Sequence, residues 1–258
     1  MHALEKLIVY YNHCKENDIY KAVIKSILNN LGKVKNANIY ELAELCYTSP
    51  TTISRLSKKM GYDGFADFKM SIVNCVRNYD GFNHFVPQSM RGSYEESKQG
   101  YFSLLRKLTD EIEENLDMAQ IKRINAMLSE SRKVYFYTCG NESAERHFQE
   151  LLIISGKESA VIGLPHLQME NIKTVDAATT VIYIAPVINE SGDVGEVLQA
   201  AKEAGAKIVL ISDAKYNIYQ KYADVFIGFD GALSIVDDQA FAMLLTVLFM
   251  DYRQTYLS

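Results

Sequence analysis

The stretch SPTTISRLSKKM, residues 49–60, gathers side chains suited to one kind of chemistry. Arg55, Lys58 and Lys59 give it three positive charges, and no acidic residue accompanies them. Ser49, Thr51, Thr52 and Ser54 add small hydroxyls. Cations of this kind neutralise backbone phosphates, and hydroxyls near a helix start can approach base edges or phosphates. The seven residues are therefore candidates for contact with double-stranded DNA. Thr51, Thr52 and Arg55 suit base edges, Ser49, Lys58 and Lys59 suit phosphates, and Ser54 lies on the same helix. An ordinary exposed helix in a helical bundle would carry the same residue types.

Other chemistry finds little footing. The four cysteines, at 14, 46, 75 and 139, are widely spaced and form no CxxC, as free thiols in a reducing compartment would be. His147 and Glu150 stand one helical turn apart and His166 follows further on, without a third ligand at metal spacing. ISGKES at 154–159 lacks the GxxxxGK[ST] spacing of a phosphate loop. No catalytic residue, metal or cofactor is expected.

The basic stretch needs elements to hold it. Ile19, Val23, Ile24, Ile27, Leu28 and Leu31 recur at three- and four-residue steps and predict a helix, with Gly32 placed as its C-cap glycine. IYELAELC, 39–46, predicts a short helix with Leu42 and Leu45 inward. Ser49 is a natural N-cap and Pro50 suits the first helical position of the next, which runs to Gly61 with Ile53, Leu56 and Met60 as its buried stripe. Only Tyr47 and Thr48 separate the two, which is helix-turn-helix spacing. GYDG is a turn, and FADFKMSIVNCV predicts a further helix.

Between residues 80 and 100, DGFNHFVPQSMRGSYEESKQG has the composition of a linker. A long amphipathic helix is predicted over 101–130. From 132 onward five short apolar runs, in KVYFYT, SAVIG, TTVIYIAPV, AKIVLIS and DVFIGF, alternate with helical stretches, the last from about residue 235 to 256. That alternation predicts a parallel sheet covered on both faces. The expected organisation is an all-α helix-turn-helix domain at 1–79, a linker at 80–100, and a three-layer α/β domain with a five-stranded parallel sheet at 101–258.

Composition agrees with that division. Of 258 residues, 48% are hydrophobic and 23% charged, the balance of a globular protein rather than a disordered one. No apolar run approaches the roughly 18–20 residues that span a bilayer. The first eighteen residues have charges within their short apolar stretch and do not read as a secretion signal, so a cytoplasmic location is expected. The net charge of −5 would by itself argue against nucleic acid. Residues 1–79, however, carry eleven Lys/Arg and seven Asp/Glu, a balance of +4, while 80–258 carry sixteen and twenty-five, a balance of −9. Opposite-signed parts suggest domains with different partners.

The first part resembles the N-terminal domain of the RpiR family of bacterial transcriptional regulators. The resemblance rests on Glu41, Leu42 and Ala43; on Ser49, Thr52, Ile53, Arg55 and Leu56; on Lys58, Lys59, Met60 and Gly61; and on Gly64, Phe65, Phe68 and Lys69. It covers about 60 residues and includes the unusual GYDGF corner; Leu56 stands where an aromatic is common. It implies sequence-specific DNA binding as a dimer, on an operator with two half-sites. The family also carries a C-terminal sugar isomerase (SIS) domain that binds phosphosugars, and residues 132–258 resemble it in order and length.

That resemblance places an effector site at the carboxyl ends of two strands, but both loops depart from the family pattern. In TCGNESAER, Gly140 fits the opening glycine and Ser143 a hydroxyl position, while Glu142 occupies a glycine position and Ala144 a serine position. A carboxylate there would repel a phosphate dianion. In the second loop a gap-free alignment puts Pro186, Val187, Ile188 and Asn189 on the "S.SG" positions, with Ser191 replacing a threonine. Taking Ser191 and Gly192 as the motif instead requires a three-residue deletion. Gly140, Asn141, Ser143, Asn189 and Ser191 are the expected effector contacts, for a phosphosugar or another ligand. The leading expectation is a regulator of sugar metabolism or transport genes that is a homodimer or higher homo-oligomer. A sugar-phosphate isomerase, or a regulator whose SIS domain is purely architectural, are the alternatives.

Overall fold

The computed structural model describes residues 3–78, 92–138, 142–185, 193–229 and 236–257. Contacts divide the chain into two units, Met1–Asn83 and His84–Ser258.

The first unit is helical. It comprises α1 (Ala3–His13), α2 (Ile19–Asn29), α3 (Leu31–Val34), α4 (Ile39–Leu45), α5 (Pro50–Lys59) and α6 (Phe65–Asn78). Most apolar positions at three- and four-residue spacing turn inward: Leu7, Val23, Ile24, Ile27, Leu42, Ile53, Leu56, Phe68 and Ile72 are buried, whereas Leu28, Leu31 and Leu45 are half-buried and Ile19, at the first position of α2, is exposed. Polar residues set the helix starts. Asp18 accepts from the Tyr20 N–H at the head of α2, and Asn38 with Glu41 forms a reciprocal capping box on α4. One expectation fails at the end of α2. The helix stops at Asn29 with Asn30 as its cap, and Gly32 lies inside the one-turn α3 that restarts at Leu31. Asn30 turns the chain two residues before glycine could, through N–H bonds to the Ile27 carbonyl and side-chain bonds to that of Ser26.

The second unit begins, among the described residues, with α7 (Tyr94–Asn115) and α8 (Met118–Glu130). Here the sequence pattern is revised twice. The helix starts at Tyr94, inside the stretch that reads as linker, because Ser93 and Glu96 form a capping box. It is also two helices rather than one: Leu116 leaves the helical conformation and Asp117 caps α8 by accepting from the Ala119 N–H at 2.8 Å. The expected linker residues 80–91 lie outside the described residues.

After α8 come β1 (Lys133–Thr138), α9 (Ser143–Ile154), β2 (Glu158–Ile162), α10 (Pro165–Asn171), β3 (Thr179–Ala185), α11 (Asp193–Glu203), β4 (Lys207–Asp213), a nine-residue 3₁₀ segment (Ala214–Tyr222), β5 (Val225–Phe229) and α12 (Asp237–Tyr256). The five strands pair in the order β2-β1-β3-β4-β5, all parallel. Side chains alternate across the strands, so each face has its own core. Val134 and Phe136 join Phe148, Leu152, Leu244 and Leu248 beneath α8, α9 and α12. Tyr135, Tyr137 and Tyr183 join Leu198 and Leu210 on the other face, toward α11. Each buried phenol there reaches a polar partner, as burial requires. Tyr135 donates to Glu158, Tyr137 to Asn171 Oδ1 at 2.7 Å, and Tyr183 to Gln168 Oε1 at 3.2 Å. Burial drives the Tyr137 phenol far above its ordinary pKa.

Candidate nucleic-acid interface and effector groove

Two helix ends shape the helix-turn-helix. At the end of α4 the Thr48 N–H bonds the Ala43 carbonyl at 2.8 Å and the Tyr47 N–H bonds that of Glu44 at 3.0 Å. At the end of α5 the Tyr62 N–H bonds the Ser57 carbonyl at 3.1 Å and the Gly61 N–H that of Lys58 at 2.9 Å. Both are Schellman turns, which require one residue of positive φ. Gly61 supplies it in one, at +79°, and Tyr47 in the other, at +51°. The first turn delivers Ser49, which accepts from the Thr52 N–H at 3.1 Å and starts α5. The second leads into the Tyr62 corner, where Lys6 lies 4.8 Å from the ring centroid and the phenol pairs with Ser71 Oγ at 3.0 Å.

α5 then has two sharply different faces. Ile53, Leu56, Ser57 and Met60, at i, i+3, i+4 and i+7, are buried. The Ser57 hydroxyl, buried with them, donates to the Ile53 carbonyl at 3.0 Å. Thr51, Ser54, Arg55 and Lys58 repeat the same spacing on the other face, where Thr51, Arg55 and Lys58 are exposed and Ser54 half-buried. The remaining three expected contacts are placed differently. The hydroxyls of Ser49 and Thr52 bond each other at 2.9 Å, so one of the two protons stays available to a phosphate oxygen. Lys59 leans back into the unit, with its ammonium 5.4 Å from the Tyr10 ring centroid and 5.9 Å from that of Tyr20. Tyr10 in turn donates to Asp18 at 2.9 Å. Spacing alone does not separate Lys58 from Lys59; the Tyr10 and Tyr20 rings do.

In the second unit, the chain changes direction across the sheet between β1 and β3, the place where open α/β sheets bind ligands at strand carboxyl ends. Gln168, fully buried, ties this edge together by donating to the Ile162 carbonyl at 2.9 Å. Of the expected effector contacts, Gly140, Asn141, Asn189 and Ser191 lie outside the described residues, as do Pro186, Val187 and Ile188. Ser143 is described, and it lines a groove of about 830 Å³ between α9 and α12. Thr138, Glu145, His147, Glu150, Thr246 and Arg253 supply the groove's other polar groups beside apolar Leu151, Ile154, Leu245 and Phe249. Glu145 and Arg253 escape a reading by loop motifs, because both sit within helices. The signal for Glu145 is its place in the buried stripe with Phe148 and Leu152.

Glu142 does not stand alone beside this groove. Its carboxylate pairs with Arg146 at 2.6 Å, one turn on, and a Cβ on Gly163 would come within 2.8 Å of its other oxygen. The carboxylate thus rests against the chain just after β2, with a guanidinium on it. Among the described residues no group of three His, Cys, Asp or Glu could hold a metal ion, and no helix is long and apolar enough to cross a membrane.

A helix-turn-helix with a cationic, hydroxyl-bearing outer face defines the first unit as a domain of the DNA-binding class, on a chain that continues into a five-stranded parallel α/β unit. Comparison with known proteins agrees. Residues 1–78 match the helix-turn-helix domain of the rpiR family. The chain is similar to the HTH-type transcriptional regulator GlvR of Bacillus subtilis, 24% identical over 224 residues that make up 83% of this chain and 78% of that one. It is similar also to the regulator HexR of Escherichia coli, 24% identical over 148 residues, 57% of this chain and 50% of that one. Its fold resembles that of the Vibrio vulnificus NanR protein, solved in complex with ManNAc-6P, at a TM-score of 0.55 and 18% identity over 98% of this chain and 92% of that one. The first unit is an rpiR-family helix-turn-helix domain, and the relatives that match across both units are named as HTH-type transcriptional regulators.

Proposed function

We propose that the chain acts as a homodimer that reads an operator with two half-sites, each through the outer face of α5, and that the SIS-like domain couples this to a small metabolite. The observation that carries the DNA reading is the stripe Thr51, Ser54, Arg55 and Lys58, held outward by the buried stripe opposite. Arg55 reads base edges together with Thr51, Thr52 and Ser54; Lys58 and the Ser49–Thr52 hydroxyl pair bind phosphate. A dimeric reader needs its heads at fixed separation, so a ligand that alters the joining of two SIS-like domains alters operator affinity.

Dimerisation is assigned to the α9–α12 side. Ile154 is 81% exposed and Met250 61% exposed, beside the groove that Ile154 lines, an apolar surface suited to a second copy. The effector reading draws on the NanR structure, whose ligand is a sugar phosphate. Sugar metabolism or transport genes are the corresponding targets. Selection of a randomised duplex library on the full-length chain tests the DNA reading: a recovered palindromic motif that Arg55→Ala no longer enriches supports it, and recovery of no motif counts against it. Sedimentation of Ile154→Glu tests the interface, with a shift to monomer expected.

A further inference from the structure

We infer that Tyr47, in the turn between α4 and α5, is an additional DNA-backbone contact, its phenol hydroxyl donating to a phosphate beside the base pairs that α5 reads. The inference rests on the assignment of α5 to the DNA groove. Three observations carry it.

The backbone of Tyr47 sits at φ +51°, and it is the one non-glycine residue with positive φ among the described residues. For a side chain with a Cβ that region is disfavoured by about 1–2 kcal/mol, and tyrosine lacks the short polar group that eases the cost for Asn or Asp. The chain builds the same turn with the same two hydrogen bonds at the end of α5, and there it uses Gly61. Glycine is thus the residue the turn favours, and Tyr47 occupies it against that preference.

Among the described residues the side chain makes no compensating contact. Tyr47 is 95% exposed, its ring contacts no aromatic or cationic partner, and its hydroxyl makes no hydrogen bond among the described residues. A strained backbone bearing an almost fully exposed side chain points to a role outside the folded unit.

The location states which role. Tyr47 lies two residues before Ser49, the N-cap of α5, and so borders the end of the helix where Thr51 and the Ser49–Thr52 pair face outward. In a helix-turn-helix this end enters the major groove, flanked by phosphates. A neutral phenol serves there as a donor to phosphate oxygen, a contact that fixes register without reading sequence.

The test uses the full-length chain and two probes, a duplex selected by that chain from a randomised library and a scrambled duplex of equal length. Tyr47→Phe, which leaves the backbone unchanged, is expected to weaken binding about three- to tenfold on both probes. The slope of affinity against salt should stay unchanged, because no cation is lost. Tyr47→Gly should weaken binding at least as much while raising the thermal midpoint, since it relieves the turn. Binding of Tyr47→Phe within twofold of the parent overturns the hydroxyl contact, whatever Tyr47→Gly does. A lower midpoint for Tyr47→Gly overturns the argument from strain. Arg55→Ala on the same probes separates the two levels. If it binds as the parent does, the assignment of α5 fails and this contact with it. If it weakens binding while the Tyr47 variants do not, only the Tyr47 contact falls.

Discussion

The Lys59 ammonium lies 5.4 Å from the centroid of the Tyr10 ring, although its chain neighbour Lys58 is exposed to solvent. Two adjacent lysines of the same helix therefore have different work: one binds α5 to α1 and α2, and the other faces outward. Replacing each with alanine distinguishes them. Lys58→Ala should lower DNA affinity and reduce the log–log salt slope by about 0.9 per chain bound, with little change in thermal midpoint. Lys59→Ala should leave the slope nearly unchanged and cost about 0.5–1 kcal/mol in stability through the lost cation–π contacts. Equal slopes for the two variants would reverse the assignment.

Arg55 occupies the centre of the exposed stripe. A side chain that reads a base edge is worth about 1–3 kcal/mol of discrimination. Arg55→Ala should therefore lose about 10- to 100-fold on the selected duplex and much less on a scrambled one. Gel-shift titration of both duplexes checks this; equal losses would mean that Arg55 touches only phosphate.

Glu142 pairs with Arg146 at 2.6 Å at the start of α9, next to Ser143 of the groove. Removing the carboxylate while keeping the guanidinium leaves a net cation near the helix start, so Glu142→Ser should raise the thermal shift produced by sugar phosphates. Arg146→Ala leaves the carboxylate unpaired and should abolish any such shift. A panel of hexose and N-acetylhexosamine phosphates against the parent and both variants reads this directly; no difference between the variants would free the pair from any part in ligand choice.

The pairing of Lys133 with Asp176 at 2.8 Å carries a pH signature. The Lys133 ammonium, helped by the Thr179 hydroxyl, holds the Asp176 carboxyl below its usual value. The folded pKa is thus lower than the unfolded one, so the contribution is present above the unfolded value near 4 and fades as pH falls through the folded value. Asp176→Asn should accordingly be less stable than the parent at pH 7, with the gap narrowing below about pH 4. Urea unfolding across that range is the measurement.

Burial pushes the Cys46 thiol up to about 11, because it sits at the end of α4 among core residues. The thiolate is the reactive form. At pH 8 Cys46 should resist an alkylating reagent in the folded chain and react once the first unit is unfolded, as peptide mapping would detect. Rapid native labelling would mean that the helix-turn-helix opens locally.

Much of the architecture is legible in the chain itself because it depends on local periodicity. The stripe Ile53, Leu56 and Met60, the Ser49 cap and the five apolar runs of the sheet follow from repeat lengths of 3.6 and 2, and each strand forms where its run predicts. Breaks are less legible, since they turn on single side-chain bonds. Asp117 divides one amphipathic stretch into α7 and α8, and Asn30 ends α2 ahead of the glycine that periodicity favours.

The candidate site divides along the same line. Residue types and spacing alone determined that α5 has a cationic, hydroxyl-rich face and that a second, acidic domain with a parallel sheet follows it. Which of those cations faces outward was decided by tertiary structure, because Tyr10 and Tyr20 reach Lys59 from helices distant in sequence. The pairing of Glu142 with Arg146 against Gly163, and the positive φ of Tyr47, were settled the same way. Periodicity reports which way a side chain points relative to its own helix; what it meets there depends on chain brought in from elsewhere, and that information is not local.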